Sequence, residues 1–85
     1  MEFTGKVLQV LTMETGTGKN GTWKKQSVIF EHGTDKYPKK TKIDFMGELS
    51  ETVFKVGNEM NLTVDSESRE YNGKWYTEIK AWKIN

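Results

Sequence analysis

The dipeptide Asn72-Gly73 is the feature that most constrains the fold of this chain. A two-residue type I′ turn needs positive φ at both central positions, and asparagine followed by glycine meets that requirement at little steric cost. Strands are predicted on both sides, over residues 60–71 and 74–83, because apolar and polar side chains alternate along most of them. The sequence therefore predicts an antiparallel β-hairpin in the C-terminal quarter of the chain.

Three more strands and one short helix are predicted before this hairpin. Apolar side chains favour strands at 3–11, 23–32 and 39–46, and in the second of these we expect Val28 and Phe30 to face inward. Leu49, Val53 and Phe54 group at helical spacing, which predicts a helix over 48–54. Residues 15–22 carry three glycines and no periodicity, so they are predicted to form a mobile loop.

Composition limits the number of domains, the chemistry and the cellular location expected of this chain. The chain has 85 residues, enough for one domain over 1–85, and it contains no cysteine, so disulfides and thiolate chemistry are excluded. Without a long apolar run or a cleavable signal we expect a cytoplasmic protein that does not bind membranes. The formal net charge is only +1, so any site for a polyanion has to be local.

The order of the predicted elements indicates the fold. Five strands, a helix between the third and fourth, a long loop after the first and a tight hairpin before the last are typical of an oligonucleotide/oligosaccharide-binding (OB) fold. We therefore predict an all-β, five-stranded antiparallel Greek-key barrel. An SH3-like barrel is the main alternative, and the position of the helix argues against it.

Several stretches carry a family resemblance: TGK (4–6), GKNGTWKKQ (18–26), YPKK (37–40), VGNE (56–59) and ESREYNGKWYTEIKAW (67–82). They resemble a family of short bacterial proteins of unknown function. The resemblance implies an OB-like fold, similar to single-stranded DNA-binding proteins at the level of fold. Fold alone does not determine function.

Enzyme chemistry has little support in the sequence. Residues 16–21 match the dinucleotide-binding pattern GxGxxG, but that motif needs a helix after the loop and a β-rich segment follows here. His32, the only histidine, is expected to be solvated at a strand end. Asp65 and Glu67 share a strand face, where pairing with Arg69 is more common than holding a divalent ion. We therefore predict a non-catalytic protein with no metal and no cofactor.

The three tryptophans point to a binding role, since each has lysine as a neighbour. Nucleobases stack on aromatic rings and phosphates pair with lysine. If Ile79 and Ala81 face inward, alternation projects Tyr76, Lys80 and Trp82 outward and places Trp75 inward near the barrel mouth. The predicted nucleic-acid-binding residues are Lys19, Trp23, Lys25, Lys40, Lys42, Lys74, Tyr76, Lys80 and Trp82.

Two functions remain open from the sequence. The first is binding of single-stranded DNA or RNA by aromatic stacking and lysine–phosphate contacts. The alternative is a protein-interaction or assembly module in which the outward aromatic rings are buried in an interface. In either case we expect a homodimer, because a small barrel has open strand edges and this one has more aromatic surface than its core can absorb.

Overall fold

Six β-strands and one short 3₁₀ helix account for most of the computed structural model, which describes residues 1–19 and 21–85. In chain order the strands are β1 (Glu2–Val10), β2 (Glu14–Gly18), β3 (Gly21–Gly33), β4 (Pro38–Met46), β5 (Glu59–Tyr71) and β6 (Lys74–Ile84). The 3₁₀ helix spans Gly47–Glu51. No helix in the described residues is long and apolar enough to cross a membrane.

The strands close into a barrel with one additional strand. They are hydrogen-bonded in the order β1-β5-β6-β4-β3-β2, and β1 also pairs with β3, which closes the ring. Neighbouring strands run antiparallel except β4 and β6, which form a short parallel pair at Asp44–Lys80 and Phe45–Ala81. The predicted five-stranded OB barrel is therefore confirmed, with β2 as the extra strand and one parallel contact at the point of closure.

The core consists of the inward side chains of the barrel strands. Val28 and Phe30 are buried, as predicted, together with Val7, Ile43, Phe45, Leu62, Val64 and Ala81. Phe30 meets Phe3 edge-on at a centroid distance of 5.7 Å and lies 6.2 Å from Phe45. Such aromatic pairs add to the stabilisation from area burial, which matters in a chain this short.

The short helix predicted at 48–54 is a 3₁₀ helix over Gly47–Glu51 in the structure, two residues shorter than predicted. It ends at Glu51, and Thr52 has the extended backbone angles φ −63° and ψ 140°. β-branched side chains at positions 52 and 53 disfavour continuation of the helix, and Val53 is 90% exposed. Phe54 still packs on the core, since its ring centroid lies 4.6 Å from that of Phe45.

Residues 14–19 and 21–25 belong to a β-hairpin that we call the first arm. β2 pairs with the beginning of β3 from Glu14–Lys25 through Gly16–Trp23 to Gly18–Gly21. The predicted mobile loop at 15–22 is therefore wrong, apart from Asn20, which lies outside the described residues. The sequence of β2 shows no apolar periodicity, because a strand pair that is exposed on both faces needs no apolar alternation.

The hairpin of β5 and β6 extends beyond the barrel as a second arm. Its turn has φ 51° at Asn72 and φ 79° at Gly73, which confirms the predicted two-residue turn. Trp75 has the same strand phase as Ala81, but β6 has left the barrel at this point. The ring is 67% exposed, so its predicted inward position is wrong.

The two arms make the molecule less compact than a plain barrel. The radius of gyration is 13.7 Å, whereas a compact chain of this length has a radius of about 12 Å. Both arms leave the same small core, so the surface they add is available for contacts with a ligand or a partner.

Candidate nucleic-acid interface

The register of the sheet collects lysines from three strands on one outer surface. β3 and β4 pair Lys25 with Met46, Ile29 with Lys42, and Glu31 with Lys40. Directly paired residues share a face of the sheet, and these positions alternate with the buried core positions. Lys80 of β6 joins this surface through its pairing with Asp44. We call the surface formed by Lys25, Lys40, Lys42, Asp44 and Lys80 the outer face.

Carboxylates neutralise part of this lysine cluster. Lys25 Nζ lies 3.1 Å from Glu14 Oε2, and Lys80 Nζ lies 3.7 Å from Glu78 Oε2. The pKa of Lys25 is raised, mainly by its hydrogen bond to Glu14 and further by the charges of Asp44, Glu14 and Glu78, while burial acts in the opposite direction. Lys25 is thus protonated at neutral pH and already has an acidic partner.

The other predicted lysines differ in their pairing. Across the described residues, Lys19, Lys40, Lys42 and Lys74 have no carboxylate within 4.0 Å. Lys24 points to the opposite side of β3, where its Nζ lies 2.8 Å from Glu51 Oε1 and holds the pKa of that carboxyl below its ordinary value. Among the predicted lysines, those with least competition for a phosphate are therefore Lys40 and Lys42 on the outer face and Lys19 and Lys74 at the turns of the arms.

Trp23 lies on the first arm, on the same side of β3 as Lys25. Its ring is 43% exposed and lies opposite Gly16 of β2. A hollow of about 360 Å³ beside the ring is lined by Trp23, Met46, Gly47 and neighbouring residues. Lys19 is exposed at the turn of this arm, so the arm carries one aromatic ring and one cation without an acidic partner.

Trp82 lies at a bulge in β6, beside Lys80 at the edge of the outer face. β5 pairs Thr63 with Lys83 and Val64 with Ala81, so Trp82 is an extra residue in the strand. Its side chain is 70% exposed and borders a hollow of about 230 Å³ together with Asp65, Glu67 and Lys80. Two carboxylates therefore lie beside this ring, which weakens the local attraction for phosphate.

The second arm adds residues that the sequence prediction only partly identified. Alternation along β6 places Lys74 and Tyr76 on the same side as Lys80, and Tyr76 is 55% exposed. Arg69 is paired with Tyr76 across the arm and makes a 3.1 Å ion pair with Glu67. Arg69 was not among the predicted binding residues, although counting outward from the turn at Asn72-Gly73 pairs it with Tyr76.

β4 and the second arm separate on one side of their parallel contact. The cleft between them has a volume of about 330 Å³ and is lined by residues of both strands, including Lys40, Lys42, Thr77 and Glu78. Lys40 and Lys42, two of the predicted lysines without an acidic partner, therefore border a groove, and the outer face continues from the barrel to the arm.

Metal and acid–base chemistry have little support in the part of the chain that the structure describes. It holds no group of three or more potential metal-ligating side chains. His32 is half-buried, with Nε2 2.6 Å from Thr41 Oγ1 and its ring edge-on to Phe3, so the prediction of a solvated histidine is wrong. Its packing under Phe3 suits a structural role at the end of the barrel.

Comparison with known families decides which family this chain represents. Residues 2–85 match the family described as "Domain of unknown function (DUF3127)". The chain belongs to this family. The resemblance seen in the sequence is therefore confirmed over residues 2–85 of the chain, and no curated protein sequence matches it.

Solved structures similar to the DUF3127 domain share its fold. One is the SSB domain of a Synechococcus sp. protein, with TM-score 0.67 and 12% identity, covering 99% of this chain and 90% of that one. A mitochondrial single-stranded DNA-binding protein from S. cerevisiae gives TM-score 0.58 and 16% identity, with 100% and 90% covered. A small single-stranded DNA-binding protein from Streptomyces coelicolor gives TM-score 0.51 and 15% identity, covering 100% of this chain and 90% of that one. At such low identities the similarity establishes the OB fold of the DUF3127 domain.

Proposed function

We propose that the DUF3127 domain is a non-catalytic module that binds single-stranded nucleic acid along its outer face. The observation that carries the proposal is the register that brings Lys25, Lys40, Lys42 and Lys80 onto one surface of β3, β4 and β6. Exposed tryptophans lie on the first arm and at the bulge of β6. Aromatic rings and local cations together are the means by which proteins bind single strands without reading their sequence.

In this proposal the rings and the cations have separate tasks. Trp23, Trp82 and Tyr76 stack on bases, while lysines of the outer face and of the arms contact phosphates. The proposed phosphate contacts are Lys19, Lys25, Lys40, Lys42, Lys74 and Lys80. Two of the similar structures are single-stranded DNA-binding proteins, which supports the same ligand class here.

The mixed charge of the outer face implies modest affinity. Glu14 and Glu78 compete with phosphate for Lys25 and Lys80, and Asp65 and Glu67 repel phosphate beside Trp82. Binding therefore depends on stacking as much as on charge, and both DNA and RNA single strands meet these requirements.

A second candidate function is an assembly module, and the second arm favours it. Tyr71 and Trp75 are 69% and 67% exposed near the end of this arm. Exposed aromatic rings are enriched in protein interfaces, and Trp75 lies on the side of β6 away from the outer face. In this candidate a second copy of the chain covers these rings and forms the predicted homodimer.

Intrinsic tryptophan fluorescence distinguishes the two candidates. Titration with oligo(dT) and oligo(rU) should quench the emission and saturate, whereas duplex DNA of the same length should have a much smaller effect. Dilution of the protein without nucleic acid is the control. Emission that changes with protein concentration but does not respond to either oligonucleotide would favour the assembly module and contradict nucleic-acid binding.

A further inference from the structure

The indole of Trp23 lies directly against the backbone of Gly16 on the neighbouring strand. A Cβ added at Gly16 would lie 2.5 Å from Cε2 and 2.7 Å from Nε1 of the indole and even closer to Cζ2. Real Cβ atoms are not found this close to another heavy atom, so any other residue at position 16 displaces the ring. The ring can occupy its observed position only because position 16 has no side chain.

The neighbouring glycine of the same strand has no such contact. A Cβ at Gly18 would find its nearest atoms 3.9 Å away, at Gly21 O and Trp23 Cδ1, which is ordinary van der Waals distance. Gly16 and Gly18 both have backbone angles open to other residues, since the positive-φ glycines are at other positions. The contrast between them is therefore a matter of space under the ring and not of backbone strain.

We propose that Gly16 is a positioning residue, which seats the Trp23 ring on β2 and leaves its outer surface free to stack on a nucleobase. A tryptophan that swings freely loses side-chain freedom when a base binds, whereas a ring already held against the backbone loses little. Covering a glycine by a cross-strand aromatic ring also stabilises the strand pair that carries it. Gly16 thus holds the Trp23 ring in a position where a nucleobase can stack on it.

This inference rests on the proposed function, and it has a test that is independent of it. In a protein whose other tryptophans are replaced, Trp75→Phe with Trp82→Phe, emission reports Trp23 alone. Gly16→Ala should shift this emission to longer wavelength and reduce the near-ultraviolet circular dichroism of the ring, while Gly18→Ala should change neither. If Gly16→Ala leaves both spectra unchanged, the ring is not seated on Gly16 and the inference is wrong.

Binding of oligo(dT) tests the consequence. Gly16→Ala should weaken binding about tenfold, as expected for the loss of one stacked base, and Gly18→Ala should bind within about twofold of the parent. In a Trp23→Ala background Gly16→Ala should cause no additional loss, because its effect acts through the ring. An equal loss in that background would assign Gly16 a purely structural role and overturn the inference.

The two readouts separate the possible failures. A parent protein that does not bind oligo(dT) contradicts the proposed function, and the assignment of Gly16 to stacking falls with it, whatever the spectra show. If the parent binds oligo(dT), and Gly16→Ala shifts the spectra but binds equally well, only the link between ring position and affinity is contradicted. Thermal unfolding of each variant shows whether the first arm remains folded during these measurements.

Discussion

The hydroxyl of Ser27 donates a 2.6 Å hydrogen bond to Oδ1 of Asp44 across the β3–β4 pair. Both side chains are buried, at 7% and 2% exposure, although their strand positions belong to the outer side of the barrel. Lys25 and Lys80 occupy neighbouring positions of the same face. A buried carboxylate therefore lies under the lysines proposed to contact phosphate, and its partner Ser27 is needed to keep it hydrogen-bonded.

Ser27→Ala should lower the free energy of unfolding by about 1–3 kcal/mol, the cost of leaving a buried charged acceptor without its donor. Urea denaturation measures this directly. Ser68→Ala is the matched control, because Ser68 shares an exposed 3.0 Å hydrogen bond with Thr77 on the second arm, and its loss should cost less than about 0.5 kcal/mol. Equal losses in both variants would contradict a special role for the buried pair.

Glu14→Gln should release Lys25 for phosphate contact. For single strands each neutralised phosphate contributes about 0.7 to the slope of log affinity against log salt. Because Glu14 competes with phosphate for Lys25 in the parent protein, the slope should become more negative by up to about that amount. Glu51→Gln is the control, since it releases Lys24 on the opposite side of β3. A similar change of slope in both variants would mean that the outer face is not the binding surface.

The same substitution should change the titration of Lys25. The hydrogen bond to Glu14 is the main reason that the pKa of Lys25 is above its ordinary value of 10.5, so Glu14→Gln should lower it. Because the folded pKa is raised above 10.5, the stabilisation from this pair is present at neutral pH and is lost as pH rises through the folded pKa. NMR titration of the Lys25 side chain measures the pKa, and urea denaturation at several pH values measures the stabilisation. An unchanged pKa would contradict the assigned cause.

Trp82→Ala should weaken oligo(dT) binding about tenfold, because base stacking on an aromatic ring contributes ~1–3 kcal/mol. Trp75→Ala is the matched control, with a ring of nearly equal exposure on the opposite side of β6. It should bind as tightly as the parent protein. If instead Trp75→Ala impairs binding, or Trp82→Ala binds as tightly as the parent while changing the oligomeric state, the ligand is not on the outer face.

The carboxylates beside Trp82 should act against binding. Replacing both, with Asp65→Asn and Glu67→Gln, should raise the affinity for oligo(dT) about two- to fivefold at low salt, with a smaller gain at high salt. Glu70→Gln, on the other side of β5, should have little effect. An unchanged or reduced affinity in the double variant, measured by fluorescence titration, would show that phosphates do not pass near Trp82.

The sequence predicted those parts of the fold that depend on side-chain periodicity and turn chemistry. Val28, Phe30 and the turn at Asn72-Gly73 are examples, because burial of one strand face and positive φ both leave a local signal. The first arm left no such signal, since its two exposed faces need no apolar alternation. Its contact between Gly16 and Trp23 across the strands has no periodicity either. Only coordinates show that contact.

The candidate site was likewise predicted from the sequence only in part. Alternation along β6 correctly separated Trp82 from the core, but it placed Trp75 inward because phase alone does not reveal where a strand leaves the barrel. The acidic partners of Lys25 and Lys80 were also missed, since Glu14 reaches Lys25 only through the unexpected strand β2. The charge of the outer face therefore depends on tertiary pairing, which composition does not determine.

The salt dependence of oligo(dT) binding by the unmodified protein tests the central claim most directly. With roughly three to five phosphates neutralised and about 0.7 counterions released per phosphate, log affinity should fall against log salt with a slope of about −2 to −3.5. Tryptophan quenching should saturate at each salt concentration. A slope near zero, or no saturable quenching at low salt, would contradict binding of single-stranded nucleic acid along the outer face.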